Sequence, residues 1–184
     1  VDLSKVYFSP RLGTERLRVA KLVQPGEVVT NLFAGVGCYS IEIAKLSRAR
    51  CVYSIDINPA AYELMVENIR INKVGDRVIP ILGDCREVVR NRLRGAANRV
   101  LMPLPEFGRE FLPTAIEALN REGGVVHFYD YGNEPDPFGP SEDFVIREAE
   151  KWGFEVKVLE RRKIRSYAPR CYHIALDVQL HRAG

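Results

Sequence analysis

Two glycines and two acids in this sequence stand where apolar runs stop, and their types suit the holding of a nucleoside. Gly35 and Gly37 make a Gly-x-Gly directly after the apolar run "EVVTNLF". Glycine there admits a positive φ and lets a ligand approach the backbone closely. Asp56 closes a second run, "CVYSIDI", and a carboxylate at a strand end can accept both hydroxyl protons of a ribose. Asp84 follows a third run, "VIPIL", within "LGDCRE". From there it can accept a hydrogen bond from an exocyclic amine such as that of adenine. Alone, the glycine pair is also ordinary turn chemistry, and each acid is also an ordinary solvated strand end. Together they outline a pocket for an adenosine. A dinucleotide fingerprint would need a third glycine where Ser40 stands. The pattern therefore lacks a pyrophosphate site and favours S-adenosylmethionine over a nicotinamide dinucleotide.

Such residues need strands to end side by side, and the sequence alternates accordingly. Strand-like runs are expected at residues 27–33, 51–57, 78–82, 99–102 and 123–132. Helical patterns are expected at 39–47, 59–73, 110–120 and 141–153. Asn58 and Pro59 read as the cap and first residue of the second of these helices. Pro113 suggests that the third takes its register from there. Ser141 reads as the cap of the fourth, and Gly153 as its end. Two further strands, "FEVKVLERRKI" and "YHIALDVQL", follow with no helix between them, joined by the loop "RSYAPRC". Strand–helix alternation argues for a parallel sheet wrapped by helices. The final pair, lacking a crossover helix, must run antiparallel. The expected fold is α/β: a seven-stranded, mostly parallel sheet with one antiparallel strand and helices on both faces. In such sheets ligands bind beyond the carboxyl ends of the strands. The layout resembles that of class I, Rossmann-like methyltransferases.

Composition sets outer bounds. The chain has 184 residues, 46% of them hydrophobic, with a net charge of +3 and a pI of about 8.7. That is enough apolar mass for the core of one domain. The mild basicity permits a nucleic-acid partner. No apolar run is long enough to span a bilayer, and no charged segment followed by an apolar one opens the sequence, so secretion is not expected. Cys38, Cys51, Cys85 and Cys171 are scattered, without metal-ligand spacing, and read as reduced intracellular thiols. No metal site is expected. Arginine far outnumbers lysine, and Gln24 and Gln179 are the only glutamines. That composition lies in the direction of thermophilic proteins.

Three stretches go beyond the generic fold: "VYFSPRLGTERLRVA" before the first strand, "RVLMPLPEFGREFL" around the fourth, and "IRSYAPRCYHIALDV" between the last two. With "FAGVG" and "SIDINP" they resemble the catalytic domain of the archaeal and eukaryotic tRNA (guanine-37-N1)-methyltransferases over nearly the whole chain. The resemblance implies transfer of a methyl group from S-adenosylmethionine to N1 of the guanine 3′ of the anticodon, in the cytoplasm. It implies that residues 1–26 form a motif-bearing segment and residues 27–184 the Rossmann-like core. Arg11 would neutralise the carboxylate of the cofactor's methionine part. Leu32 and Phe33 would line its thioether end, and Asp56 would take the ribose, with Ile57 beside the adenine. Asp84 and Cys85 would border the adenine edge. Glu15 would match the proposed general base, since N1 carries a proton that must leave as the methyl arrives. An acid paired to Arg11, Arg16 or Arg18 at a helix start is the plainer reading of Glu15.

Two departures from the family pattern stand out. Where most relatives have Asn-Leu-Pro after the fourth strand, this chain has Pro103-Leu104-Pro105. Pro103 has neither a polar side chain nor a backbone N–H, so Pro103 and Pro105 are expected to wall the base pocket by packing. An archaeal subgroup with a more permissive pocket shows this kind of change, and some members also methylate a tricyclic wyosine precursor. Asn31 stands where relatives often have Asp.

The target base must lie in a loop or be flipped out. Arg161, Arg162, Arg165 and Arg170, with Tyr167 for stacking, are the expected RNA-binding cluster, and Arg90, Arg92 and Arg94 form a second basic stretch. Relatives carry further tRNA-gripping domains upstream, and none is expected within this chain. Two rivals remain: the wyosine-pathway aminocarboxypropyl transferase, against which "SPRLGTER" argues, and a cofactor-binding module without catalysis, which Pro103 favours. A nicotinamide oxidoreductase is more distant still.

Overall fold

A computed structural model of the chain describes residues 12–182. By their contacts the residues fall into two units, Val1–Arg92 and Leu93–Gly184. The first holds α1 (Gly13–Leu22), β1 (Val28–Asn31), α2 (Cys38–Leu46), β2 (Cys51–Asp56), α3 (Pro59–Asn72), β3 (Val78–Leu82) and the single turn α4 (Cys85–Val88). β2 pairs in parallel with β1 and with β3, placing Asn31 level with Ser54 and Asp56 level with Leu82. The carboxyl ends of these strands therefore lie side by side. Val78 of β3 packs with Ala34, with Ile41 and Ala44 of α2, with Met65 and Ile69 of α3 and with Val74 in one buried apolar cluster.

The local chemistry explains where these helices begin. Asn58 Oδ1 accepts the Ala60 N–H at 3.0 Å, and Pro59 supplies a pre-set φ in the first turn. Lys73 ends α3 in the left-handed region. Gly37, at φ 89°, opens α2. A Cβ on Gly37 would meet Met65 Cγ at 3.0 Å, so both backbone angle and space demand glycine there.

The second unit holds β4 (Arg99–Met102), α5 (Gly108–Ala118), β5 (Gly123–Asn133), α6 (Gly139–Lys151), β6 (Phe154–Ala168) and β7 (Cys171–Arg182). β4 and β5 are parallel, and β7 runs antiparallel to both β5 and β6. The seven strands form one sheet in the order β3-β2-β1-β4-β5-β7-β6. It is mostly parallel, with β7 reversed, and helices flank it, as the strand–helix alternation predicts.

Three local expectations are corrected. Pro113 lies inside α5, not at its start. At the sixth of the eleven positions of this helix it forfeits the hydrogen bond to the Arg109 carbonyl, a loss that packing of the buried Leu112, Ala115 and Ile116 offsets. Ser141 is not the cap of α6: its hydroxyl donates to Asp130 Oδ2 at 2.8 Å. Asp136 caps the helix instead, its Oδ1 accepting the Phe138 and Gly139 N–H groups at 3.2 and 2.9 Å. The "RSYAPRC" stretch is mostly strand, not loop. β6 runs through Ala168 and β7 starts at Cys171, leaving Pro169 and Arg170 as a tight turn with Arg170 at φ 59°.

Candidate active site

The glycine turn is held from below by a buried polar network. Asn31, enclosed at the end of β1, donates through Nδ2 to Ser40 Oγ at 3.3 Å, and its Oδ1 accepts the Phe33 N–H at 3.3 Å. Ser54 on β2 donates to the same Ser40 oxygen at 2.7 Å. The amide thus uses both its donor and its acceptor, which a carboxylate could not do. Ser40, where a dinucleotide fold would carry glycine, is the centre of this network. On the other side, Asn68 of α3 donates to the Val36 carbonyl at 2.9 Å and ties the turn to the helix.

Above the turn, Asp56 is fixed by two backbone donors. Gly35 N–H reaches its Oδ2 at 2.7 Å, and Asn58 N–H reaches its Oδ1 at 2.9 Å. A carboxylate has roughly four acceptor sites, so each oxygen keeps capacity for one further donor. That is the arrangement a vicinal diol needs. Gly35 has φ 55°, and a Cβ there would meet nothing within 4 Å. The glycine therefore serves the backbone angle and leaves open space beside Asp56. Ile57, next in sequence, is 67% exposed, an apolar surface beside that carboxylate. Gly83 N–H donates to the Asp56 carbonyl at 3.0 Å and brings the end of β3 alongside.

Asp84 stands at that end in a dual role. Its Oδ1 accepts the Arg86 N–H at 2.8 Å and caps α4, while the Arg86 guanidinium grips both oxygens, with Nη2 to Oδ2 at 2.7 Å. The Arg86 hydrogen bonds hold the Asp84 carboxyl below the usual carboxylate range against a weaker opposing effect of burial. A ligand amine must share this carboxylate with Arg86, a partner that the sequence signals only as Asp-x-Arg. Burial pushes the Cys85 thiol up to about 12, so it stays neutral.

Other predicted residues fall out differently. Leu32 is only 1% exposed, so its side chain packs within the core; Phe33 beside it is half-buried. Arg11 lies outside the described residues. Glu15, in the first turn of α1, is 4% exposed and is clasped by Arg18 of the next turn, Nε to Oε2 at 2.9 Å and Nη2 to Oε1 at 2.7 Å. The paired acid of the plainer sequence reading is what the structure contains, in a setting dry enough for the pairing to matter. The first unit thus assembles Gly35, Gly37, Asp56, Ile57, Asp84 and Cys85 around the ends of β1, β2 and β3.

In the second unit, Pro103 follows β4, and Pro105 opens a single 3-10 turn, Pro105–Phe107. The adjoining Glu106 accepts the Tyr131 hydroxyl proton at 2.7 Å. Burial and that hydrogen bond raise the Tyr131 phenol. The expected RNA-binding arginines divide into two sets. Arg161 is paired with Glu142, its Nη2 at 2.8 Å from Oε2, and Arg162 with Glu160 at 2.9 Å. Arg165 and Arg170 make no ion pair among the described residues. Tyr167 is 60% exposed, with its ring 4.4 Å from that of Tyr131.

Comparison with known proteins gives a consistent result. Residues 1–158 match the family model of the TRM5/TYW2 methyltransferase domain. The chain is 49% identical over 180 residues to the tRNA (guanine(37)-N(1))-methyltransferase Trm5b of Pyrococcus abyssi, covering 98% of this chain and 52% of that protein. It superposes with TM-score 0.92 on Methanocaldococcus jannaschii TYW2 in complex with AdoMet, at 36% identity over 100% of this chain and 81% of that one. A structure of aTrm5 with tRNALeu matches with TM-score 0.84 at 43% identity, covering 97% of this chain and 49% of that one. The chain thus spans about half the length of the Trm5 proteins it matches.

Proposed function

This chain belongs to the TRM5/TYW2 methyltransferase family, and from that premise we propose that it transfers a methyl group from S-adenosylmethionine to N1 of guanine 37 in tRNA. The observation that carries the proposal is Asp56, pinned by the Gly35 and Asn58 N–H groups with acceptor capacity left on both oxygens and open space beside Gly35. These residues fit the cofactor's adenosine. Asp56 would hold the ribose hydroxyls, Ile57 and Phe33 would supply apolar contact, and Asp84 would accept from the adenine amine once Arg86 yields part of its grip. Arg11 would take the methionine carboxylate.

The bound cofactor supplies an electrophilic methyl group on a sulfonium, so the N1–CH3 bond forms as the S–CH3 bond breaks and the sulfur leaves as a neutral thioether. The chain's contribution is the proton. Glu15 would accept the N1 proton, provided that Arg18 releases one carboxylate oxygen; the remaining Arg18 contact would keep the carboxylate aimed. Pro103 and Pro105 would stiffen the loop against the base by packing. Arg165, Arg170 and Tyr167 would contact the RNA most directly. Arg161 and Arg162, each already holding an acid, would contribute less. An enzyme acting on tRNA in this way is expected in the cytoplasm.

A second reading, aminocarboxypropyl transfer from the same cofactor, draws support from a tRNA(Phe) (4-demethylwyosine(37)-C(7)) aminocarboxypropyltransferase of Methanocaldococcus jannaschii, to which the chain is 36% identical over 182 residues, 99% of this chain and 71% of that protein. Mass spectrometry of nucleosides from tRNA treated with the protein and S-adenosylmethionine separates the two, since a methyl group adds far less mass than an aminocarboxypropyl group. 1-Methylguanosine is the expected product; the aminocarboxypropyl adduct would replace this proposal with its rival.

A further inference from the structure

Pro103 gives the loop after β4 neither a polar side chain nor a backbone N–H, yet the same loop carries a carboxylate held in place. Glu106 is exposed, sits on a turn opened by Pro105, and accepts the Tyr131 hydroxyl at 2.7 Å. Tyr131 itself is half-buried on β5 and packs its ring 4.4 Å from that of Tyr167 on β6, tilted by 41°. Arg165, two residues before Tyr167, lies near enough to Tyr131 to oppose the rise in its phenol pKa. One exposed aromatic face, one anchored carboxylate and one cation thus form a connected cluster within the second unit. The Tyr131 bond uses one acceptor site on Oε1, and both Glu106 oxygens retain others.

We propose that Glu106, fixed by Tyr131, reads the exocyclic 2-amino group of the unpaired target guanine, with Tyr167 as the stacking surface. This deepens the methylation reading and rests on it for the identity of the base. Among the four RNA bases only guanine carries an amine at C2. A carboxylate on that amine leaves N1 clear for the incoming methyl. Stacking on an exposed ring tolerates any base, so discrimination must come from a polar group at an edge. Pro103 offers none, and Glu106 is the acid of this loop that an aromatic partner holds.

The test is a cycle between protein and RNA. Binding of anticodon stem-loops carrying guanosine or inosine at position 37, which differ only in the 2-amino group, is measured by fluorescence anisotropy. The proteins are the parent chain, Glu106→Ala and Glu106→Gln. The parent is expected to bind the inosine RNA about tenfold more weakly, the effect of one hydrogen bond to a charged group. Glu106→Ala should lose about tenfold on guanosine RNA and nothing further on inosine, with Glu106→Gln between. Equal binding of both RNAs by the parent, or losses that multiply, would overturn the inference. Nucleoside mass spectrometry on the same samples keeps the two readings apart. Non-additive binding without 1-methylguanosine defeats the methylation reading alone, and 1-methylguanosine with multiplying losses defeats this one alone.

Discussion

Asp56 and Glu15 show opposite ways of fixing a carboxylate. Backbone donors hold Asp56 and leave acceptor sites facing outward, whereas a guanidinium clasps Glu15 from the next turn of its helix. Asp56→Asn places an NH2 against one of two backbone donors. Calorimetry with S-adenosylmethionine should then show affinity at least about tenfold lower, since a hydrogen bond to a charged group contributes about 1.5–3 kcal/mol; unchanged affinity would remove Asp56 from the ribose. Glu15→Gln should lower single-turnover methyl transfer by about 10²–10⁴-fold while cofactor affinity stays within about threefold. Full transfer by this variant would leave Glu15 as a structural acid. The acids and glycines were legible in the sequence because backbone geometry demands them at strand ends. Arg86 on Asp84 was not, because that pairing depends on rotamers chosen in three dimensions; Arg18 on Glu15 was legible only as one of three nearby candidate partners. Leu32, just past β1, is buried, and an apolar run alone does not say which way such a residue points.

Elements were legible to the extent that their patterns were local. The strand limits of β3 and β4 and the cap of α3 follow from apolar runs and from Asn58-Pro59. Ser141 failed as a cap because a buried acid across the fold, Asp130, competes for its hydroxyl and Asp136 caps the helix from nearby sequence. The β6–β7 hairpin extends beyond expectation because its ladder continues through polar residues, from Phe154 opposite Arg182 to Ala168 opposite Cys171. Polarity there was mistaken for loop. A second such network spans β4, β5 and β7. The buried Arg99 Nη1 lies 2.8 Å from His127 Nε2, and His127 Nδ1 lies 2.7 Å from Asp177 Oδ1. Arginine can only donate, so Nε2 accepts, and the imidazole proton sits on Nδ1, where it donates to Asp177. Asp177→Ala removes the acid at the end of this chain and leaves Arg99 charged in the interior. The expected loss is about 3–5 kcal/mol in urea unfolding, with Asp177→Asn costing less. A loss below about 1 kcal/mol would mean that other contacts carry the network.

At the scale of the molecule, charge decides more than fold. The net charge of +3 suggested a nucleic-acid partner, but several cations on the hairpin are already satisfied: Arg161 by Glu142, Arg162 by Glu160 and Lys163 by Glu134 at 3.0 Å. Sequence proximity made the arginines look like one basic patch; the acids that quench it come from α6, from β6 itself and from the segment after β5. A patch reduced to Arg165 and Arg170 can neutralise few phosphates, and each phosphate contact steepens the dependence of log affinity on log salt by about 0.7–0.9. Filter-binding titrations of this chain with tRNA from low to high salt should therefore give a slope shallower than the count of arginines on the hairpin would suggest. Affinity should be weaker than that of a Trm5b relative of which this chain spans 52%. A slope as steep as the longer relative's, with equal affinity at matched salt, would show that this chain grips tRNA unaided and that the paired arginines exchange their acids for phosphates. Glu142→Gln, which frees Arg161, should steepen the slope by about one contact if the acids limit binding; no change would locate the limit elsewhere on the surface.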